Sequence, residues 1–593
     1  MSNPLNFYTK EKATFEQHLS TVKKRLVSSS ILRLVVFGLI SFGVYFFFGN
    51  TKIVMPILLI GIAIFLFLVS KHTDLQHQKD KISALININQ TEIKVLNDDV
   101  SDLDIGEKYK NPNHEFSYDI DLFGKNSFFQ YINRTATTSG KDKLASILTE
   151  NTTKDIITKQ NALKELSKKA TWRQNYSATA SLVDVDTKAE SILKWIQNYT
   201  AFLPKYMALI PKLFSLASVV LFVLNYFDIV SFKFIVIWFF IGLGISGLYL
   251  KKVSKLYSNA NSAKETFKQY HQLLLQIENE QFKTDLLKNK QNAIKTTSQK
   301  ASAIFNSFSK TLDALDQRNN ILFGIFGNAF GLWDLNQSYK IEQWINKQQH
   351  QVEKWFEIIA FFDAHNSLGN YVFNHPKHSF PIINTSNITV KSKQLGHPLL
   401  TEKKRVNNDF NINNKEFFII TGANMAGKST FLRTVSLSIV MANIGLPVCA
   451  KGYEYSPIKL ITSMRTSDSL SDDESYFFSE LKRLKFIIDE IDPTKNKPEY
   501  FIILDEILKG TNSKDKAIGS RKFVEKLVKS NATGIIATHD LSLCEITKDL
   551  KQVKNHYFDA EIINDELHFD YTFKEGICQN MNASFLLRKM EIV

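Results

Sequence analysis

The chain has 593 residues, 44% of them hydrophobic and 22% charged, a length too great for one core and a composition ordinary for a folded protein of two to four domains. Its three cysteines, Cys449, Cys544 and Cys578, are widely spaced, which excludes a disulfide framework and favours a reducing compartment. The net charge of +14 indicates an anionic partner, and nucleic acid and the anionic face of a cytoplasmic membrane both fit it.

The first predicted element is a pair of membrane-spanning helices. Residues 31–70 are largely apolar and are broken at residues 49–52, Gly-Asn-Thr-Lys. Each half approaches the ~20 residues that a helix needs to cross a bilayer. The pattern predicts a helical hairpin that enters and leaves on one side. A cleaved signal peptide is disfavoured because the first apolar run starts late and is followed by another.

A second apolar stretch predicts a second hairpin. It covers residues 213–250 and is broken around residues 225–231. The two hairpins together would make the protein integral to a membrane through about four helices. For either pair, two helices buried in a protein core are the alternative interpretation.

Positively charged residues flank both hairpins, whereas the loops inside the hairpins carry few of them. The flanking residues are Lys23, Lys24, Arg25, Arg33, Lys71, Lys79, Lys81, Lys251 and Lys252. Since Lys and Arg accumulate on the cytoplasmic side of membrane helices, both termini and all soluble parts are predicted to be cytoplasmic. The sequence therefore predicts a multi-pass protein of the cell membrane.

The soluble parts divide into a helical region and an α/β region. Helical patterns cover residues 74–104, 116–169, 252–320 and 341–365. After residue 376, helical segments alternate with short β-like runs at residues 388–390, 417–421, 501–504 and 534–538. This alternation predicts a parallel sheet with crossover helices.

The most specific motif is a phosphate-binding loop of the form GxxxxGK[ST]. It follows the apolar run 417–420 and opens a helix, and it consists of Gly422, Ala423, Asn424, Met425, Ala426, Gly427, Lys428 and Ser429, with Thr430 next. Glycines let the backbone N–H groups curl around phosphates. Lys428 is placed to reach the β- and γ-phosphates, and the Ser429 hydroxyl to bind Mg2+. The sequence thus predicts that ATP or ADP binds here.

Two further apolar runs end in residues that suit ATP hydrolysis. Residues 501–504 are followed by Asp505, which is placed to hold Mg2+, and by Glu506, which is placed to polarise the attacking water. Residues 535–538 end at His539, which could sense the γ-phosphate. Taken alone, an acidic pair or a histidine at a strand end is more often an ordinary surface feature. The order of these runs after the phosphate-binding loop favours the catalytic interpretation.

Together these motifs resemble the MutS family of DNA mismatch-repair ATPases, within the ABC-type ATPases. TGANMAGKSTFLRT at residues 421–434 is very similar to the phosphate-binding loop of that family, including its Asn-Met pair. LDEILKGTNSKD at residues 504–515 and ATHD at residues 537–540 resemble its acidic strand and its histidine switch. SFFQYINRTATTSGKDKLASIL at residues 127–148 resembles the start of its helical core domain.

The resemblance also implies a dimer with composite nucleotide sites. The Ser/Asp-rich residues 471–480 align with the signature loop of the family, which reaches the nucleotide of the partner subunit. It assigns Ser475 to that contact in trans. Near this loop Asp473 or Glu474 stands where the family has glycine. The aromatic residue that stacks on adenine in the family is not evident near Arg405, whose guanidinium is the substitute that the sequence suggests.

The predicted fold class is an α/β P-loop NTPase domain of the ABC type, preceded by an all-α core domain that carries two transmembrane hairpins. The mismatch-reading domain of the family is expected to be lacking, because a membrane hairpin and a connector take its place. The predicted divisions are a cytoplasmic helix (1–30), hairpin one (31–70), a connector (71–115), the first part of the core (116–200), hairpin two (201–252), the second part of the core (253–380) and the ATPase domain (381–593).

Three functions remain open on the sequence. The first is a membrane-anchored ATPase whose cycle drives a conformational change, with DNA as the partner that the resemblance implies or a membrane component in its place. The second is an ATP-dependent scaffold or DNA-binding protein that does not turn over. The third is an ATPase subunit of a transporter, for which two short hairpins make a poor translocation path.

Overall fold

The structure is a computed structural model that describes residues 3–182, 189–295, 300–384, 387–423, 425–465, 476–491, 499–563 and 566–579. An α-helical N-terminal part is followed by an α/β part. The helices before the first strand are α1 (Pro4–Phe46), α2 (Thr51–Leu96), α3 (Phe128–Ile132), α4 (Thr138–Thr149), α5 (Ile156–Ser167), α6 (Ala170–Ala180), α7 (Ala189–Gln197), α8 (Ile210–Tyr226), α9 (Phe232–Leu248), α10 (Leu250–Asn279), α11 (Asp285–Asn292), α12 (Ala301–Asp316), α13 (Ile321–Gly331) and α14 (Trp333–Asn374).

Helices α1 and α2 form a long hairpin whose apolar half is exposed. The chain turns at Gly49, whose φ of 93° suits glycine, and Gly61 allows close packing because a Cβ there would lie 2.5 Å from Ile40 Cγ1. Both helices are long and apolar enough to cross a membrane. Each runs unbroken through a predicted division, at residues 30–31 and 70–71, so a membrane segment and its cytoplasmic extension would share one helix.

The second apolar stretch forms helices α8 and α9, each of 17 residues, at the place of the second predicted hairpin. Helix α9 is bent by 64° relative to α10, and this pair could form a third span. Helix α13, which the sequence analysis did not single out, is also apolar and packs against both α8 and α9.

The helical core is built around α14, a helix of 42 residues. Aromatic side chains from α10, α12 and α14 pack together in its centre, where Phe267, Phe305 and Trp355 are fully buried. The other end of α14 reaches the hairpin base, where Asn374 Nδ2 donates a 2.8 Å hydrogen bond to Glu92 Oε2. The helical core thus links both apolar units to the α/β part.

The described residues of the α/β part form three sheets, of six, four and two strands. Its strands are β1 (Ile382–Ile383), β2 (Ile388–Leu395), β3 (Asn408–Asn413), β4 (Phe417–Gly422), β5 (Gly452–Tyr455), β6 (Lys459–Ser463), β7 (Tyr500–Asp505), β8 (Thr533–Ala537), β9 (Val553–Phe558), β10 (Glu561–Ile563), β11 (Glu566–His568) and β12 (Lys574–Glu575). Its helices are α15 (Lys428–Asn443), α16 (Tyr476–Glu490) and α17 (Ser513–Lys529).

The larger sheet has the order β12-β9-β4-β8-β7-β6, with all neighbours parallel except β12 and β9. The predicted runs at 417–421, 501–504 and 534–538 fall on its strands β4, β7 and β8. The run at 388–390 does not belong to this parallel sheet. It starts β2, which pairs antiparallel with β3 and β5 in a separate sheet of order β1-β5-β2-β3. Local pattern identified this strand but could not choose its partners.

The helical part is fastened to the α/β part by buried polar contacts. Asp119 accepts hydrogen bonds from Thr462 Oγ1 at 2.6 Å and from the Arg465 N–H at 2.9 Å, just beyond β6. Arg483 on α16 donates a 3.0 Å bond to the His114 carbonyl. Because these groups are removed from water, each lost partner would leave a buried polar group unsatisfied.

Candidate active site

The phosphate-binding loop joins β4 to α15 at the carboxyl edge of the larger sheet. Gly422 has φ 145° and Gly427 has φ 102°, conformations that side chains rarely adopt. A Cβ on Gly422 would also lie 2.4 Å from the Phe558 carbonyl oxygen. Ala423 and the buried Ala426 occupy the loop as predicted, Met425 is exposed, and Asn424 lies outside the described residues.

Lys428 is the first residue of α15, and its side chain folds back over the loop. Its Nζ donates to the carbonyls of Gly422 at 2.7 Å and Ala423 at 2.9 Å. Burial lowers the pKa of Lys428, and the nearby carboxylates of Glu506 and Asp505 oppose that shift. The ammonium is therefore a partly desolvated charge held at the mouth of the loop, where its attraction for an anion is strong.

Ser429 and Asp505 come together although they are predicted from separate motifs. Ser429 Oγ donates a 2.7 Å hydrogen bond to Asp505 Oδ2. Burial raises the pKa of Asp505, and the bond from Ser429 opposes the rise. A hydroxyl and a carboxylate are oxygen ligands that suit Mg2+, which keeps several waters and needs few protein groups. Among the described residues there is no cluster of three or more His, Cys, Asp or Glu that could hold a metal.

Glu506 and His539 are hydrogen-bonded to each other beside Lys428. His539 Nε2 lies 2.9 Å from Glu506 Oε1 and 3.5 Å from Lys428 Nζ. The bond from His539 is the largest cause that lowers the pKa of Glu506 to about 2, although burial opposes it. Glu506 has φ 51°, and its N–H donates to the Ala537 carbonyl at 2.9 Å. The backbone of β8 thus holds Glu506 in a strained conformation. Strained backbone of this kind is common at active sites.

Sheet topology explains why these side chains meet. Strand β8 lies between β4 and β7, with Ile420 and Asp505 both in register with Ala537. All three strands are parallel, so their carboxyl ends lie at one edge of the sheet, where open α/β sheets bind ligands. The phosphate-binding loop, the acidic pair and His539 each follow one of these strands.

A cavity of about 690 Å³ adjoins the loop. Lys428, Ser429, Thr430 and Glu506 line this cavity. Residues from outside the phosphate-binding loop and the acidic and histidine motifs complete the lining, chiefly His397, Val406, Asn408 and Tyr571. Arg405, the sequence-based candidate for contact with adenine, instead donates to Asn407 Oδ1 at 3.1 Å, and its guanidinium is absent from the lining. Tyr571 offers the aromatic ring that the sequence analysis did not find.

Tyr571 is held in place by Asn408. Asn408 Nδ2 donates a 3.0 Å bond to the Tyr571 carbonyl, and the Phe573 N–H donates a 2.8 Å bond to Asn408 Oδ1. The Tyr571 ring also packs on the phosphate-binding loop, since a Cβ on Gly427 would lie 3.0 Å from Tyr571 Cδ1. No local sequence pattern marks Tyr571, because its position depends on the hydrogen bond from Asn408. These two residues are 163 positions apart in the chain.

Glu480 supports the loop that follows Glu506. The carboxylate is buried and accepts hydrogen bonds from the N–H groups of Leu508 and Lys509, the latter at 3.1 Å. Gly510 packs against Phe477, with a Cβ there only 2.8 Å from Phe477 Cβ. The start of α16 therefore packs against the loop that follows Glu506. Ser475, predicted to act in trans, lies outside the described residues, as do Asp473 and Glu474.

Comparisons with known proteins place this site in a family. Residues 418–588 match the model of MutS domain V. The DNA mismatch repair protein MutS of Desulfatibacillum aliphaticivorans is 31% identical over 242 residues, which cover 39% of this chain and 26% of that protein. The part of the chain that carries this site is therefore similar to domain V of MutS proteins. MutS protein homolog 4 of Homo sapiens is 30% identical over 208 residues, 33% of this chain and 21% of the homolog.

The similarity to MutS proteins is partial. The DNA mismatch repair protein MutS of Finegoldia magna is 30% identical over 302 residues, 48% of this chain and 33% of that MutS. The chain thus spans a third or less of the length of these MutS relatives. The matched domain contains the phosphate-binding loop, Asp505, Glu506 and His539, and a helical part followed by a mixed α/β domain agrees with it.

Proposed function

We propose that this chain is a membrane-anchored MutS-type ATPase that couples the binding and hydrolysis of ATP to a conformational change. The observation that carries the proposal is the convergence of Lys428, of the Ser429–Asp505 pair and of the Glu506–His539 pair at one edge of the sheet. The similarity to MutS proteins, which are ATPases, supports it. A site that only bound ATP, without hydrolysing it, would not need the strained and ionised Glu506.

Each residue has a role that its position supports. The loop from Gly422 to Thr430 and the Lys428 ammonium hold the phosphates of ATP or ADP. Ser429 and Asp505 hold Mg2+, which when bound would neutralise charge that develops on the phosphates. Glu506 orients and polarises the attacking water, and His539 keeps its carboxylate ionised and directed. When a γ-phosphate is present, His539 can donate to it, which makes it the sensor of the nucleotide state.

The nucleoside is assigned to the cavity beside the loop. Tyr571 supplies an aromatic face and His397 lines the same space. Burial is the largest cause that lowers the pKa of His397 to about 4, so this ring is neutral at physiological pH and can lie against a base. Base–aromatic stacking is worth ~1–3 kcal/mol, which suits recognition of adenine by Tyr571.

The active unit is proposed to be a homodimer in which each protomer completes the other's site. The support is the Ser/Asp-rich segment that precedes α16 and contains Ser475. Glu480, which follows this segment in α16, contacts the loop after Glu506, so a partner's contact with the segment would be transmitted to the loop of the proposed catalytic carboxylate. Protomer closure on ATP and opening after hydrolysis would then drive the helical core.

Anchoring is proposed through α1 and α2, with α8 and α9 as the second membrane unit. The exposed apolar side chains of the N-terminal hairpin, such as Leu34, Phe42 and Phe67, support it. With basic residues at the base of the hairpin, the termini and the ATPase domain are assigned to the cytoplasmic side of the cell membrane.

Hydrolysis is tested with the full chain in detergent or in vesicles. Glu506→Gln is expected to retain ATP binding while kcat falls ~10²- to 10⁴-fold, the range for loss of a general base. Glu525→Gln on α17, where Glu525 pairs only with Arg521 at the surface, is the matched control. Hydrolysis by Glu506→Gln at the rate of the unaltered protein would refute the assignment.

The output of the cycle is proposed to be DNA binding, because similar proteins include the DNA mismatch repair protein MutS. The exposed apolar helices favour a second candidate, work on a membrane component without DNA. Titration of the full chain with mismatched and matched duplexes at several salt concentrations separates them. A preference for the mismatch supports DNA repair. Binding no stronger than that of a generic polycation would remove DNA as the partner.

A further inference from the structure

Helix α13 is a short apolar helix whose outer face is largely exposed. Its sequence is ILFGIFGNAFG, and Ile321, Leu322 and Phe326 are 76%, 69% and 54% exposed. Neighbouring helices continue this surface with exposed residues such as Phe222 and Phe240. Contiguous apolar surfaces of this kind mark interaction sites.

The inner face of α13 is fitted closely to α8 and α9. Gly242 on α9 meets the backbone of α13, since a Cβ there would lie 2.1 Å from the Ala329 carbonyl oxygen. Phe330 packs against Phe222 of α8, with ring centroids 4.9 Å apart. Close backbone approach at small residues is typical of helix pairs inside membranes, where apolar side chains gain nothing by leaving lipid.

Polar groups within this unit are paired with one another. Trp238 Nε1 donates a 2.8 Å bond to Ser218 Oγ, which lies 2.7 Å from the Phe330 carbonyl oxygen. On the same helix, Ser215 Oγ donates a 2.8 Å hydrogen bond to the Pro211 carbonyl. Polar groups in the hydrocarbon core of a membrane need such hydrogen bonds within the protein, because no water is there to replace a missing partner.

The contacts lie at the middle of α8 and α9. Ser218 and Gly242 are close to the centres of Ile210–Tyr226 and Phe232–Leu248. A helix rises ~1.5 Å per residue, so both positions lie roughly 12–15 Å from the helix starts, which is about half of the ~30 Å hydrocarbon core. If α8 and α9 span the bilayer, the last turn of α13 must reach the same depth.

The two ends of α13 are tied together. Arg318, just before α13, and Asp334, at the start of α14, form an ion pair of 3.2 Å with both side chains largely buried. Asn328 Oδ1 also accepts a 3.0 Å bond from the Asp334 N–H. With 11 residues, α13 is roughly 16 Å long and too short to cross a bilayer. The chain must therefore enter and leave on one side.

We propose that α13 is a re-entrant helix embedded in lipid, and that α8, α9 and α13 form one membrane-inserted unit of three helices. The proposal rests on the proposed membrane anchoring. Lipid is favoured over a protein partner because the exposed faces are apolar, while Lys212, Lys251 and Lys252 stand at the ends of α8 and α9 where anionic headgroups would lie. Through α14, which begins two residues after α13, this unit connects directly to the ATPase domain.

The test uses the full chain in vesicles of phosphatidylcholine with some phosphatidylglycerol, with acyl chains that are either plain or brominated. A fluorescent NBD group is attached at Phe326→Cys, at Phe42→Cys in the N-terminal hairpin, or at Lys310→Cys on α12. The native cysteines are buried and give a low background. We expect brominated lipid to remove most of the fluorescence at positions 326 and 42 and little at position 310.

The outcomes separate the two proposals. Quenching at position 42 without quenching at 326 overturns the re-entrant helix and leaves the anchor in place. A probe at 326 that is shielded from water but unquenched shows a protein partner and also overturns it. Absence of quenching at both positions removes the membrane anchor together with the inference.

A glycine pair supplies a second measurement. Gly242→Ala places a methyl group against the Ala329 backbone, whereas a Cβ on Gly244, in the same helix, meets nothing within 4 Å. We expect Gly242→Ala to reduce lipid quenching at position 326 and Gly244→Ala to leave it unchanged, with ATP binding retained in both. Equal quenching in the two variants would overturn the proposed packing of α13 on α9.

Discussion

Ser429 and Asp505 are 76 positions apart in the chain, and Ser429 Oγ donates a 2.7 Å hydrogen bond to Asp505 Oδ2. The bond joins the first turn of α15 to the end of β7. The two oxygen atoms that we propose as Mg2+ ligands thus lie at one point of the fold, which reduces the rearrangement needed to bind the cation.

Removal of either ligand should change the magnesium requirement. We expect Ser429→Ala and Asp505→Asn to raise the Mg2+ concentration for half-maximal hydrolysis by roughly 10-fold or more, because each removes one of two protein oxygens. Titration of Mg2+ at fixed ATP measures this. Ser436→Ala, which removes a buried hydroxyl bonded to the Leu432 carbonyl in the same helix, serves as the control. An unchanged midpoint in both site variants would argue against the assigned ligands.

The Glu506–His539 pair predicts a pH effect. The pKa of Glu506 is lowered from 4.5 to about 2, chiefly by His539. A lowered pKa means that the carboxylate keeps its charge, and the stability it contributes above pH 4.5 is lost only as the pH falls toward 2. In His539→Ala the pKa should return toward 4.5, so hydrolysis should decline as the pH falls from 6 toward 4.5. The unaltered protein should show no such Glu506-dependent decline. If the rate of hydrolysis fell in the same way below pH 6 in both proteins, the pairing would be contradicted.

Tyr571 should matter for the base and not for the phosphates. We expect Tyr571→Ala to weaken ATP binding by roughly 5- to 100-fold, from a stacking energy of ~1–3 kcal/mol. Binding of tripolyphosphate, which has no base, should be unchanged. Tyr571→Phe keeps the ring and should restore ATP affinity. Equal weakening for ATP and tripolyphosphate would show that the residue acts on the loop instead.

Glu480 should affect turnover more than binding. In Glu480→Ala the N–H groups of Leu508 and Lys509 lose their acceptor, at a cost of ~1–3 kcal/mol for each buried donor. The loop after Glu506 would loosen, so kcat should fall while KM changes little. Glu480→Gln keeps one acceptor oxygen and should recover part of kcat. A rise in KM at constant kcat would instead indicate a role in nucleotide binding.

The junction between the N-terminal hairpin and the core should depend on Glu92. Its buried carboxylate pairs with Arg134 and accepts a bond from Asn374. Glu92→Gln leaves Arg134 uncompensated, at a cost of about 3 kcal/mol, or roughly a hundredfold in local opening. Hydrogen exchange in the last turns of α2 measures this. Glu92→Leu combined with Arg134→Met should recover protection, and unchanged exchange in Glu92→Gln would contradict the role.

The amino-acid sequence by itself was sufficient for features that short segments encode. The phosphate-binding loop, the carboxylates after residues 501–504 and the histidine after residues 535–538 are local patterns, and so are the apolar runs of the hairpins. The family resemblance that they suggested is confirmed by the match to MutS domain V.

Only the tertiary structure decided the features that depend on distant contacts. It placed the run at 388–390 in a separate antiparallel sheet, brought Tyr571 to the cavity and set Glu480 under the catalytic loop. It also packed α13 on α8 and α9. The physical reason is the same in each case. Packing between distant segments sets the partners of a strand, the neighbours of a ring and the environment of an 11-residue helix. The conformation of a phosphate-binding loop, by contrast, depends on its own glycines.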